Sequence, residues 1–254
     1  MTLLDPILPI RGVRARTATV PALAAVSHGT SCPVGQASVA ALVAAVAEKR
    51  RDLHVTGGFV DVQQPDVPAT LRSIAPEQPA VVVPLLLSAG FHVHVDLVED
   101  LETTDRPTAL GRALGPDDRL VAVLARRLEA LRVTPDDRIM LGAAGSTDAR
   151  AVEDCFDIGR RLESRLRVPV TTAFVSAAQP SVPDAVAAAR SGRPRGRIIV
   201  ATYLLAPGYF ASLLEQAGAD LVTAPILHPG EAPDPGIVEL VVDRYEEALQ
   251  LLGA

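Results

Sequence analysis

Residues 23–27, LAAVS, and 80–87, AVVVPLLL, are apolar almost throughout. A strand apolar on both faces belongs in a parallel sheet covered by helices. Between these runs Val39, Leu42, Val43 and Val46 recur at helical spacing, which predicts a helix with one buried face. His54 to Val62 reads as a further strand, and PDVPATLRSIA as a short helix opened by an acid and a proline. After the Ala80 to Leu87 strand, GFHVHVDL begins another helix, Pro107 to Arg112 a fourth strand and Asp117 to Leu131 the helix that follows it. The order is strand then helix throughout, βαβαβαβα.

The same order then runs a second time. GFVDVQQPDVPATL (58–71) and AFVSAAQPSVPDAV (173–186) share Phe-Val, Gln-Pro and Val-Pro at identical offsets. Each is preceded by a strand with a small-residue turn, LAAVSHGTS or IMLGAAGST, and followed by another, AVVVPLLLSAGF or RIIVATYLLAPGY. Similarity at one long period means two copies of a unit, not a solenoid. The expected architecture is α/β: two similar domains, each a small parallel sheet flanked by helices, with a cleft between them. The boundary is expected near RVTPDD, giving domains 1–134 and 135–254.

Composition narrows the function classes. A hydrophobic fraction of 48% with 21% charged residues suits a globular chain. No run reaches the roughly 18 uninterrupted apolar residues of a membrane helix. The first residues, MTLLDPILPIRGVRARTATV, place arginines after the apolar patch, the reverse of a secretory signal. A cytoplasmic protein with a loose N-terminal arm of about 18 residues is expected. A net charge of −6, with no basic run or aromatic array, argues against a nucleic-acid partner. Cys32 and Cys155 are too few for a disulfide framework or zinc ribbon, and Cys155 shares a helix face with Val152, Phe156, Gly159 and Leu162, so burial is expected.

The chemistry gathers at one place. In parallel sheets ligands bind outside the carboxyl ends of the strands. His28 follows the first strand, Asp61 ends the second, and Gly90 to His94 follow the third, so all come to one sheet edge facing the second domain. A single histidine there would pass for a packing residue. Two histidines and a carboxylate converging on one edge favour metal or proton chemistry. At a strand end His92 and His94 would share a face, but in the helix expected here they point about 200° apart, so His94 is the weaker candidate. His54 begins a strand at the far edge and His228 lies in a proline-rich loop, and both are expected to be structural. GTSCPVGQ and GAAGST look like phosphate turns, but neither a P-loop nor a dinucleotide fingerprint is present. Ser27 beside His28 lacks the G-x-S-x-G elbow of a hydrolase.

The motifs AVSHGTS and VPLLLSAGFHVHVD (83–96) closely resemble those of the class II tetrapyrrole chelatases of the CbiX and SirB type, the sirohydrochlorin chelatases, in their duplicated form. That resemblance implies a chelatase-like fold with one active-site cleft between the domains. It implies that His28 and His92 bind the metal and accept protons, with Asp61 where family members commonly carry glutamate. Aspartate retracts that carboxylate by about 1.5 Å. The implied reaction is ATP-independent insertion of Fe2+ or Co2+, with Ni2+ as a third candidate, into sirohydrochlorin for siroheme or cobalamin synthesis. No organic cofactor is implied.

Inserting a divalent ion means stripping its water and removing two pyrrole N–H protons, work that histidines on one face of the ring can do. The substrate's carboxylates are expected to meet N–H and hydroxyl groups of Ser27, Gly29, Thr30, Ser88 and Gly90. With both units in one chain, a monomer is expected. Two alternatives stand beside this reading. One is a non-catalytic tetrapyrrole or metal carrier, favoured by Asp61. The other is a porphyrin ferrochelatase, which usually keeps its site in the second half, where this chain has Ala144 and Phe210 in place of His28 and His92.

Overall fold

Each apolar run becomes a strand whose alternate residues feed two different cores. The computed structural model describes residues 19–88, 90–192 and 195–252, and within 91–96 the backbone alone. The expected N-terminal arm lies outside the described residues. In the first unit β1 (Ala22–Ser27), α1 (Pro33–Lys49), β2 (Val55–Phe59), α2 (Val67–Ser73), β3 (Ala80–Pro84), α3 (Phe91–Glu102), β4 (Thr108–Leu110) and α4 (Asp118–Ala130) follow in order. The second unit repeats them as β5 (Arg138–Ala143), α5 (Ala149–Leu166), β6 (Val170–Phe174), α6 (Val182–Ser191), β7 (Ile198–Tyr203), α7 (Tyr209–Glu215), β8 (Leu221–Val222) and α8 (Pro235–Leu252). Both sheets are parallel, ordered β2-β1-β3-β4 and β6-β5-β7-β8.

Ala22, Ala24, Val26, Ala80 and Val82 pack outward against Val67 and Leu71 of α2 and Leu97 and Leu101 of α3. Leu23, Ala25, Val81 and Val83 point the other way, into a core continuous with Ile139, Leu141, Ile199 and Ala201 of the second sheet. Met140, Val200, Val182 and Leu214 close the far side of that sheet beneath α6 and α7. One shared core therefore lies between two outer layers.

Three strands end earlier than expected, β4 at Leu110 and not Arg112. β2 stops at Phe59 because Val62 takes a left-handed φ of 63°, which turns the chain out of the sheet. β3 stops at Pro84, and the Leu86 and Leu87 carbonyls leave the ladder to accept from Leu114 N–H and the Tyr203 hydroxyl, both at 2.8 Å.

The last helix of each unit crosses to the other. α8 packs on α1, β3 and β4 of the first sheet. There the Tyr245 hydroxyl donates to Pro21 O at 2.8 Å and Arg244 Nε to Ala113 O at 2.9 Å. α4 packs on α5 and β7, where Arg161 reaches Asp118 at 2.9 Å and Arg127 donates to Ile226 O at 3.1 Å. Among the described residues no helix is long and apolar enough to cross a membrane.

Candidate functional site

The register Ser27↔Phe59, with β3 on the other side of β1, brings the ends of β1, β2 and β3 to one edge. His28 leaves that edge exposed. The Asp61 N–H donates to His28 O at 3.0 Å, and the Val60 N–H to Ser27 O at 2.9 Å, so histidine and aspartate ride on adjoining turns. The Asp61 carboxylate is exposed and accepts from the Val62 N–H at 2.7 Å.

Gly29 makes this approach feasible. Its φ is 95°, and a Cβ there would lie 2.3 Å from Asp61 O. The turn is fixed by Thr30, whose N–H donates to Gln63 Oε1 at 2.9 Å, whose hydroxyl accepts from Cys32 N–H at 3.1 Å, and whose carbonyl accepts from Gln36 Nε2 at 2.8 Å. Sequence reasoning missed Gln63. The signal was available in the repeat, where Gln63 aligns with Ala178, so the crosslink is confined to the histidine-bearing unit.

The third strand delivers its turn to the same edge. Leu85 N–H donates to Val26 O at 2.7 Å, Gly90 is the N-cap of α3, and the His92 backbone lies in the first turn of that helix. The side chains of His92 and His94 lie outside the described residues. Among the described residues no cluster of three or more His, Cys, Asp or Glu side chains could hold a metal ion.

The expected substrate contacts divide. Gly29, Thr30, Ser88 and Gly90 lie half-buried on the edge loops. Ser27 does not fit the expectation: it is 4% exposed, and its hydroxyl is enclosed without a hydrogen-bond partner. It shares a strand face with Leu23 and Ala25, whose side chains enter the shared core, so alternation points it inward toward the second sheet. Burial pushes the Cys155 thiol up to about 12, against the opposing influence of nearby Ser88. Cys155 is buried, as expected. His54 and His228 are exposed; His54 precedes β2, at the opposite end of that strand from Asp61, and His228 Nδ1 lies 2.8 Å from Pro229 O.

The second unit closes the opposite side. A Cβ on Gly208 would lie 3.1 Å from the Thr30 hydroxyl, and one on Gly90 would lie 3.7 Å from the Ser146 hydroxyl, so the edge loops of the two units face each other reciprocally. At the places of His28, Asp61 and His92 this unit carries Ala144, Ser176 and Phe210. Tyr209 and Phe210 are exposed by 71% and 37%, and their ring centroids stand 6.1 Å apart. The edge thus pairs an imidazole and a carboxylate on one side with apolar rings on the other. A separate cavity of about 350 Å³ lies between α1, α4 and the segment before α8, lined by Arg127, His228 and Glu231. It contains none of the edge residues.

Comparison with known proteins agrees with this fold. The CbiX family model matches the chain twice, over residues 22–131 and 138–248. No curated protein matches. Among solved structures, SirB from Bacillus subtilis with Fe3+ is similar at a TM-score of 0.75 and 19% identity, covering 90% of this chain and 95% of that one. SirB from Bacillus subtilis subspecies spizizenii in complex with cobalt gives 0.68 and 17%, covering 91% and 95%. CbiX, described as the terminal enzyme of siroheme biosynthesis in denitrifying bacteria, gives 0.65 and 21%, covering 89% and 99%. At these identities the likeness of structure establishes the fold. The paired family match goes further: this chain, with one copy of the family's unit in each half, belongs to the CbiX family.

Proposed function

We propose that the protein is a sirohydrochlorin chelatase that inserts Fe2+ or Co2+ into its tetrapyrrole without ATP. Ni2+ is a third candidate metal, and siroheme or cobalamin synthesis the destination. The observation that carries the reading is the one-sided edge: His28 is exposed beside Asp61 and on the same edge as the His92 turn, while the matching positions opposite are Ala144, Ser176 and Phe210. His28 and His92 deliver the metal and accept the two pyrrole protons it displaces, and Asp61 supports them. Tyr209 and Phe210 form an apolar wall for the macrocycle, and N–H and hydroxyl groups of Gly29, Thr30, Ser88 and Gly90 meet its carboxylates. The SirB structures with Fe3+ and cobalt support the choice of metals. The protein works as a cytoplasmic monomer with one site per chain.

The test is anaerobic incubation of sirohydrochlorin with Fe2+ or Co2+, followed by absorbance. Multiple turnovers are expected, with most activity lost in His28→Ala and in His92→Ala while both stay folded. A spectral change that stops at one equivalent of protein would identify a carrier instead. Turnover of porphyrin alone would identify a ferrochelatase of haem synthesis.

A further inference from the structure

The turn between β3 and α3, which leads to His92, is held from outside its own unit. Leu114 N–H donates to Leu86 O at 2.8 Å from within the unit. The next residues are met by the second unit: the Tyr203 hydroxyl donates to Leu87 O at 2.8 Å, Cys155 lies near Ser88, and Ser146 stands beside Gly90. Tyr203 is 2% exposed, and burial pushes its phenol well above the usual value, so it stays a donor. Gly115 closes the remaining side. A Cβ on Gly115 would lie 2.0 Å from Leu87 O and 2.4 Å from the Tyr203 hydroxyl, so only bare backbone fits against this bond.

The repeat supplies a control. Aligning VVPLLLSAGF (82–91) with VATYLLAPGY (200–209) puts Leu85 at the place of Tyr203 and Leu205 at the place of Leu87. The Leu205 carbonyl accepts from its own unit, from Leu227 N–H at 2.8 Å. Leu85 has no hydroxyl to send back across the seam. The crossing bond therefore runs in one direction, from the unit with no histidine on its edge loops to the turn that precedes His92.

We propose that Tyr203 is a positioning residue that sets the His92-bearing turn from the second unit, with Cys155 assisting at Ser88. The proposal rests on the reading of His92 as a metal-binding group. Its action is indirect: a buried, desolvated hydrogen bond fixes the turn, and the turn fixes where α3 begins.

The test compares the full chain with Tyr203→Phe, His92→Ala and the double variant by anaerobic Co2+ titration and by metal insertion. Tyr203→Phe is expected to stay folded by circular dichroism, to lose about tenfold in kcat and in Co2+ affinity, and to keep its KM for sirohydrochlorin within about twofold. In the His92→Ala background the phenol's loss should change Co2+ affinity no further, which a merely structural role would not produce. Parent-like kcat in Tyr203→Phe beside an inactive His92→Ala overturns the positioning role alone. So does a loss of affinity that persists undiminished without His92. Parent-like activity in His92→Ala overturns the metal reading and this proposal with it. Should Tyr203→Phe fail to fold, Cys155→Ala, which loosens the same turn at Ser88, is held to the same outcomes with a smaller loss.

Discussion

Gly29→Ala and its repeat counterpart Gly145→Ala separate what a turn contributes to stability from what it contributes to chemistry. Both glycines have left-handed backbones, at φ 95° and 91°, and both lie against the carbonyl of the neighbouring turn. An alanine Cβ would lie 2.3 Å from Asp61 O in the first unit and 1.8 Å from Ser176 O in the second. The left-handed conformation costs a non-glycine residue roughly 1–2 kcal/mol, and forced repacking roughly 1–3 more. A total of roughly 2–5 kcal/mol in a chain of this size lowers Tm by about 10 °C. Gly145→Ala, with the closer contact, should lose at least as much.

The functional outcomes should differ. To relieve the overlap the first turn must part from Asp61 by about 1 Å, which breaks the 3.0 Å bond joining Asp61 N–H to His28 O. Misplacement on that scale costs about a hundredfold in kcat. The second unit carries Ala144 and Ser176 at these places, so Gly145→Ala should raise KM for the tetrapyrrole and leave kcat within about threefold. Thermal unfolding and steady-state metal insertion, measured well below both transitions, provide the comparison. Equal losses of kcat in the two variants would refute the reasoning, because the effect would then belong to general destabilisation.

Three further outcomes follow from named contacts. Asp61→Ala should slow turnover about tenfold, less than His92→Ala, and Asp61→Glu should be tolerated or alter the Fe2+ to Co2+ rate ratio; an Asp61→Ala rate as low as that of His92→Ala would make the carboxylate a direct ligand. Asp137 is buried, accepts from the N–H groups of Arg197 at 2.7 Å and Thr134 at 2.8 Å, and is held below the usual carboxylate range chiefly by the Arg197 guanidinium. The stability it contributes is complete above the ordinary value of 3.8 and drains as pH falls from there through the lower folded value; Asp137→Asn should flatten stability against pH in that acid window, and an unchanged acid limb would contradict the assignment. A fragment ending at residue 134 should associate or aggregate in light scattering, since it lacks the α8 helix that covers β3 and β4; a stable, fully active monomer would remove the second unit from the site.

The strands were legible because residues buried on both faces leave a continuous apolar run, and the repeat fixed their order. The ends were less so. Nothing in Leu86 and Leu87 marks them as leaving the sheet, because the partners that draw their carbonyls away, Leu114 and Tyr203, lie far along the chain. The exchange of α4 and α8 was hidden for a related reason: Ile237, Leu240, Val241 and Tyr245 announce a buried face, but not whose sheet it covers. His28 and Asp61 could be placed at one edge because topology alone brings strand ends together. The burial of Ser27 was legible too, since the alternation of Leu23, Ala25 and Ser27 pointed inward.

The two units are alike in fold and unlike in their edge side chains, and the exchanged helices explain how both can persist. Each unit completes the other's core: α8 covers the first sheet, α4 the second, and Leu23, Ile139 and Tyr245 belong to one continuous interior. A second unit with no histidine at its edge cannot be discarded without unroofing the first. Its edge is therefore free to change only where the shared core is not at stake. Ala144, Ser176 and Phe210 lie on that free edge, whereas Tyr203 and Cys155 lie in the seam, buried against the turn they hold. Different side chains at the edge together with buried contact at the seam fit the proposal of a second unit that serves as wall and clamp for a single site.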